Sequence, residues 1–281
     1  MRKIGIEIFY WIPRWADDQV AYFSKARGCG FDSVEISFVS GPENIDIPRT
    51  REELHRLGLE VFCSTGLSRS TDISSPDKDC RDAGIRYLHQ CLETAQKLGS
   101  PCLGGVTYAP WLYFPDDADL RPYRDRSATA LREVAKVAED LGIYLTLEIL
   151  NRFETFMFNT VDEALTFLQH VDHSAVQLQL DTYHMNMEED NLAAAIRRAG
   201  LKIGHFHCAA SNRKLPGHGH IDWHAIKSAL DAVNYQGALV IETFPDPNAE
   251  TGRTVNTWRP LVNDPDREIK ESLAFLRANV A

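Results

Sequence analysis

The sequence predicts an α/β protein folded as one (β/α)8 barrel over residues 1–281, and three observations carry that expectation. Eight short runs of strand-forming residues alternate with longer amphipathic runs, the pattern of a parallel α/β fold. A chain of 281 residues has the length of one such barrel, about 250 residues, and no Gly/Ser-rich or low-complexity stretch divides it. The last four strand runs each end in a carboxylate or an imidazole, which gathers polar chemistry at one mouth of the barrel.

In chain order, strands are expected over residues 3–9, 31–37, 59–65, 102–107, 143–149, 176–181, 203–208 and 238–243. Helical periodicity is clearest over 79–98, 124–141, 161–169, 192–199, 223–233 and 267–278. Three connections, 68–78, 108–123 and 244–265, exceed the usual few residues and follow strands, so they are expected over the catalytic face. The last of them is equally suited to an oligomer contact. The acidic run Glu188-Glu189-Asp190 reads as a helix N-terminus, where negative charge meets the positive end of the dipole.

Composition narrows the function classes. A net charge of −10 disfavours a nucleic-acid partner, whose phosphates require a basic face. The six cysteines (Cys29, Cys63, Cys80, Cys91, Cys102, Cys208) form no CxxC pair, which predicts reduced thiols and a cytoplasmic protein. Glu7 interrupts the only signal-peptide-like run, and no stretch reaches the ~20 apolar residues of a membrane helix.

The strand ends carry the chemistry. Side chains alternate across a strand, so in the run 144–149 the leucines and Ile149 share one side while Thr146 and Glu148 share the other. The same parity sets Gln177, Gln179 and Asp181 opposite the aliphatics of their strand, pairs His205 with His207, and sets Glu242 opposite Leu239 and Ile241. The aliphatic side packs under helices, so the polar side faces the barrel axis. Buried carboxylates are costly unless paired or metal-bound. Glu148, Asp181, His207 and Glu242 therefore form a candidate cation site, and three carboxylates with one imidazole suit Mn²⁺, Mg²⁺ or Co²⁺. His205, one layer deeper, is expected as a satisfied core histidine or a support for the ligands. Beyond the strand ends, Glu154, His184 and Arg213 either bind substrate oxygens or form a salt-bridge network that holds the loops.

These residues resemble a known family. Leu147-Glu148-Ile149-Leu150-Asn151-Arg152-Phe153-Glu154 and Leu180-Asp181-Thr182-Tyr183-His184-Met185-Asn186-Met187-Glu188-Glu189 are similar to the hallmark segments of the D-tagatose 3-epimerase and D-psicose (allulose) 3-epimerase family. So are Gly204-His205-Phe206-His207, Asn212-Arg213, Pro216-Gly217, Gly219 and Trp223, with Ser75-Pro76-Asp77-Lys78 and Arg81-Asp82-Ala83-Gly84 extending the match into the N-terminal half. The resemblance implies a xylose-isomerase-like TIM barrel, a Mn²⁺ or Co²⁺ ion, and a homo-oligomer, dimer or tetramer. It puts the metal ligands on Glu148, Asp181, His207 and Glu242. It puts substrate contacts on Glu154, His184 and Arg213, with Trp111 and Glu35 as further contacts. The chain departs from the family pattern at Cys208-Ala209-Ala210-Ser211, where many relatives carry a Gly-Glu or Ser-Glu pair, and at Thr243, which follows Glu242 in place of proline. His218 and His220, Asp222 for a common proline, and Ser64 with Thr65 on a usually apolar wall also differ. These departures bear on which sugar is preferred.

The expected reaction is epimerisation of a free ketohexose or ketopentose at C3 through an enediolate. Glu148 and Glu242 exchange protons on the two faces, and the ion polarises the substrate oxygens. Aldose–ketose isomerisation, or dehydration or elimination on a keto-sugar or keto-inositol, are alternatives on the same barrel. An endonuclease-IV-like nuclease and a non-catalytic sugar-binding protein fit the ligand pattern less well.

Overall fold

The computed structural model describes residues 1–281. In order the elements are β1 (Ile4–Glu7), α1 (Phe23–Cys29), β2 (Ser33–Ser37), α2 (Ile47–Leu57), β3 (Glu60–Leu67), α3 (Lys78–Leu98), β4 (Cys102–Pro110), α4 (Arg121–Leu141) and β5 (Tyr144–Glu148). They continue with α5 (Val161–Val171), β6 (Val176–Asp181), α6 (Thr182–Glu188), α7 (Leu192–Ala199), β7 (Ile203–Cys208), α8 (Trp223–Ala232), β8 (Leu239–Ile241), α9 (Glu250–Thr254) and α10 (Pro265–Asn279). Each strand pairs in parallel with the next, and β8 returns to β1, so the sheet closes without an edge.

Closure follows from the alternation. Leu145, Leu147, Leu178, Leu180, Phe206, Leu239 and Ile241 are buried in the main hydrophobic core. The opposite parity turns Thr146, Glu148, Gln179, Asp181, His205 and His207 inward, where they are also buried. Helix starts are set by side-chain caps: Asp77, Thr160, Asn191, Asp222 and Asp264 each accept a backbone N–H of the first turn. Asp222, where relatives carry proline, is thus the N-cap of α8.

Helices α1 and α2 add to the runs where helical periodicity was clearest, and each buries only two side chains. One expectation is corrected here. The run Glu188-Glu189-Asp190 does not open a helix of its own. Glu188 closes α6 and pairs with Arg152 at 2.7 Å. Glu189 crosses to α5, where it accepts the N–H of Val161 at 2.7 Å, and also pairs with Arg198 at 3.0 Å. The dipole argument holds, but for a helix elsewhere in the chain.

Candidate active site

The register of the last strands brings their ends together. Glu148 sits opposite Gln179, and Asp181 opposite His207. Gln179 reaches across the barrel to accept the N–H of Gly105 at 3.1 Å. A Cβ on the neighbouring Gly104 would lie 2.2 Å from its Oε1, so this crossing requires glycine there. Carboxylate oxygens of Glu148, Asp181 and Glu242 and a ring nitrogen of His184 all lie within 4.8 Å of one another. Nδ1 of His207 is 3.7 Å from Glu148 Oε1 and 3.7 Å from Glu242 Oε1.

Hydrogen bonds decide what each imidazole can do. His184 Nδ1 accepts the backbone N–H of Asn151 at 3.2 Å, so in the neutral ring Nε2 carries the proton. That N–H can only donate and lacks the lone pair a cation needs. His207 is the reverse: its Nε2 lies 3.0 Å from Glu35 Oε2, an acceptor, which leaves the lone pair on Nδ1, where the only hydrogen-bonding neighbour is the long 3.4 Å contact of Gln179 Nε2. Glu35 also takes His205 Nε2 at 2.7 Å.

Asp181 divides its two oxygens. Oδ1 accepts the N–H of Tyr183 at 2.7 Å and so caps α6, while Oδ2 is buried with no partner. Glu148 Oε1 is equally without a partner. Burial, reinforced by repulsion from Glu242, pushes the Asp181 carboxyl up to about 7 and raises Glu148 well above the usual carboxylate range. Burial also opposes the charge on Glu242, but His207 and then Arg213 outweigh it and hold that carboxyl at about 2. Burial works against protonation of His207, yet Glu35 and Glu242 raise its affinity for a proton well above the ordinary value. Orphaned carboxylate oxygens facing an imidazole that attracts a proton fit a divalent cation, with oxygen donors and one nitrogen.

The other side of the pocket is densely hydrogen-bonded, with Arg213 Nε left over. Glu154 accepts Arg213 Nη1 at 2.8 Å and Asn151 Nδ2 at 3.2 Å through Oε1, and Trp111 Nε1 at 3.2 Å through Oε2. The guanidinium of Arg213 stacks on Tyr183 and Phe244, 4.7 and 5.3 Å from the ring centroids. Arg213 adopts φ +59°, a left-handed conformation that a residue with a Cβ rarely takes. Its carbonyl accepts the hydroxyl of Thr243, the residue that replaces proline. That departure therefore holds the strained loop. Burial penalises the charge of Glu154, and Arg213 followed by His184 overcomes the penalty.

A cleft opens over these groups. Glu148, Glu154, His184, His207, Arg213, Glu242 and Trp111 line it. Glu35 differs from expectation: it lies beneath the pocket, and its carboxylate is taken by His205 and His207, which leaves it no reach to a substrate. His205 behaves as a core histidine and stacks 4.8 Å from the Phe62 ring. Sequence reasoning missed Glu7, Trp15 and Phe244, which also line the cleft. The usable signal for Glu7 was its position at a strand end, in register with Glu35.

The xylose isomerase-like TIM barrel family matches residues 23–279. The chain is 37% identical to a D-psicose 3-epimerase from Ruminiclostridium cellulolyticum, over 98% of this chain and 97% of the relative. It is 35% identical to an L-ribulose 3-epimerase from Mesorhizobium japonicum, over 98% and 93%. The structure of a D-psicose 3-epimerase determined in the presence of D-fructose superposes with a TM-score of 0.94 at 33% identity, covering 99% of each chain.

Proposed function

The chain belongs to the D-tagatose and D-psicose 3-epimerase family of xylose isomerase-like TIM barrels, and on that premise we propose that it is a divalent-metal-dependent isomerase that epimerises free ketoses at C3. The observation that carries the reading is the pair of buried, unpartnered oxygens, Glu148 Oε1 and Asp181 Oδ2, with His207 Nδ1 3.7 Å from the first of them. Glu148, Asp181, His207 and Glu242 would hold the cation, with Mn²⁺ the best fit and Co²⁺ or Mg²⁺ next. Such an ion supplies Lewis-acid stabilisation of negative charge on the sugar oxygens.

The protein's own residues do the rest. Inverting C3 requires removing the proton beside the ketone and delivering one to the other face. Glu148 and Glu242 would serve as this pair, since each lines the cleft and a carboxylate bound to the cation through one oxygen keeps the other for proton transfer. His184 donates its Nε2–H to a substrate oxygen, and Arg213 with Glu154 fixes the O1–O2 end. Trp111, anchored on Glu154, forms part of the pocket wall.

The six free cysteines suit a cytoplasmic setting. The exposed rings of Phe153 and Trp258 suit a dimer or tetramer, which light scattering would test. The reaction is tested by incubating the Mn²⁺-loaded protein with a panel of ketohexoses and ketopentoses and following products by NMR. C3 epimers are expected, and none after treatment with a chelator. Turnover unaffected by the chelator would overturn the metal-dependent reading.

A further inference from the structure

One carboxyl in the cleft belongs to neither the cation site nor the Arg213 cradle. Glu7 ends β1, is 3% exposed, and lines the pocket, and its Oε2 is buried with no hydrogen-bond partner. The imidazoles nearest in the ligand layer cannot satisfy it, because His205 and His207 both turn to Glu35. Arg213 is already committed to Glu154. A buried polar group left this way is costly, and a ligand that supplies the missing partner repays the cost.

The closed strand order says which part of a ligand this is. β1, β2 and β3 stand across the barrel from β5, β6 and β7. Arg213, Glu154 and His184 lie beyond the second set. Glu7, Ser37 and Ser64 lie on the first set and form the facing wall of the same cleft. A sugar held at its O1–O2 end by the cradle therefore extends its tail toward Glu7.

We propose that Glu7, flanked by the Ser37 and Ser64 hydroxyls, binds the tail hydroxyls of an uncharged ketohexose and makes this pocket select hexoses over pentoses and over anionic sugars. The inference rests on the epimerase reading and names its substrate class. The negative charge of Glu35 and Glu242 on either side of Glu7 disfavours a phosphate or a carboxylate there, whereas a sugar hydroxyl pairs with the Glu7 carboxyl. The serine hydroxyls match the remaining oxygens of a polyol.

The test compares wild type, Glu7→Leu and Glu7→Gln, all Mn²⁺-loaded. Substrates are a ketohexose, its 6-deoxy counterpart, the ketopentose that lacks the sixth carbon, and the ketohexose 6-phosphate. Turnover and calorimetric binding are measured in parallel. In Glu7→Leu the hexose-to-pentose ratio of kcat/KM is expected to fall at least tenfold, mostly through KM. Glu7→Gln, which keeps a donor and an acceptor, recovers most of that ratio. The 6-deoxy sugar is expected to behave like the pentose, and the phosphate to bind at least tenfold more weakly than the free sugar. Equal losses on hexose and pentose, or an unchanged ratio, would overturn the proposal. So would tight binding of the phosphate. If wild type turns over none of these sugars, the epimerase reading fails separately, and the calorimetric hexose-to-pentose preference still decides Glu7. Absence of any sugar binding sinks both.

Discussion

Two parts of one pocket are built by opposite rules. Around Arg213 nearly every strong group has a partner, Arg213 Nε excepted: Glu154 takes three donors, Asn151 ties Glu154 to His184, and Thr243 holds the Arg213 carbonyl. A few ångströms away, Glu148 and Asp181 each bury an oxygen that nothing satisfies. Folding alone would favour the first arrangement everywhere, because an unpaired buried carboxylate costs several kcal/mol. The saturated part positions its residues before any ligand arrives. The unsaturated part is completed only by what binds there.

That contrast makes the two parts respond differently to substitution. Glu148→Gln and Glu242→Gln should each lower kcat by about 10²–10⁴-fold, the range of a lost acid or base. Steady-state kinetics with metal occupancy measured on the same samples checks this. Near-normal turnover in either variant removes that residue from proton transfer. Arg213→Ala strikes the saturated part and leaves Glu154 buried without its cation. It should lower stability by about 3–5 kcal/mol, read by denaturant unfolding, whether or not metal is present.

A smaller effect separates the parts by pH. Asp181 must lose its proton to bind a cation, and burial holds that proton on up to about pH 7. Mn²⁺ affinity is therefore expected to fall as pH drops through 7, by about tenfold per unit for each proton that a ligand must lose. His207 pushes the same way, since its raised proton affinity also competes with metal. Calorimetric titration across pH 5.5–8 measures the slope, and a flat profile would show that Asp181 is not a ligand. The smallest effect lies outside the pocket. Glu189→Gln weakens the charge at the start of α5 and should cost at most about 1 kcal/mol without changing kcat/KM.

The sequence made the unsaturated part readable, because period-two alternation alone sets Glu148, Asp181, His207 and Glu242 inward at strand ends. Glu7 obeys the same parity, yet β1 is short and its inward partner is Gly5, so no polar pattern marked it. The role of Glu35 was misread because it depends on two imidazoles from β7, contacts more than 150 residues distant that no local pattern encodes. The same holds for His184, whose tautomer is set by Asn151 on another loop. For Glu154 and Arg213 the sequence left open whether they bind substrate or brace the loops. Their 2.8 Å pair braces the loops while both still line the cleft.

The most direct test of the account is the position of solvent deuterium. Mn²⁺-loaded protein incubated with a ketohexose in D2O should return a mixture of C3 epimers carrying deuterium at C3 and not at C1, as read by NMR. Deuterium at C1 together with an aldose product would show that Glu148 and Glu242 act at C1 and C2, on the other side of the carbonyl, and would contradict the account.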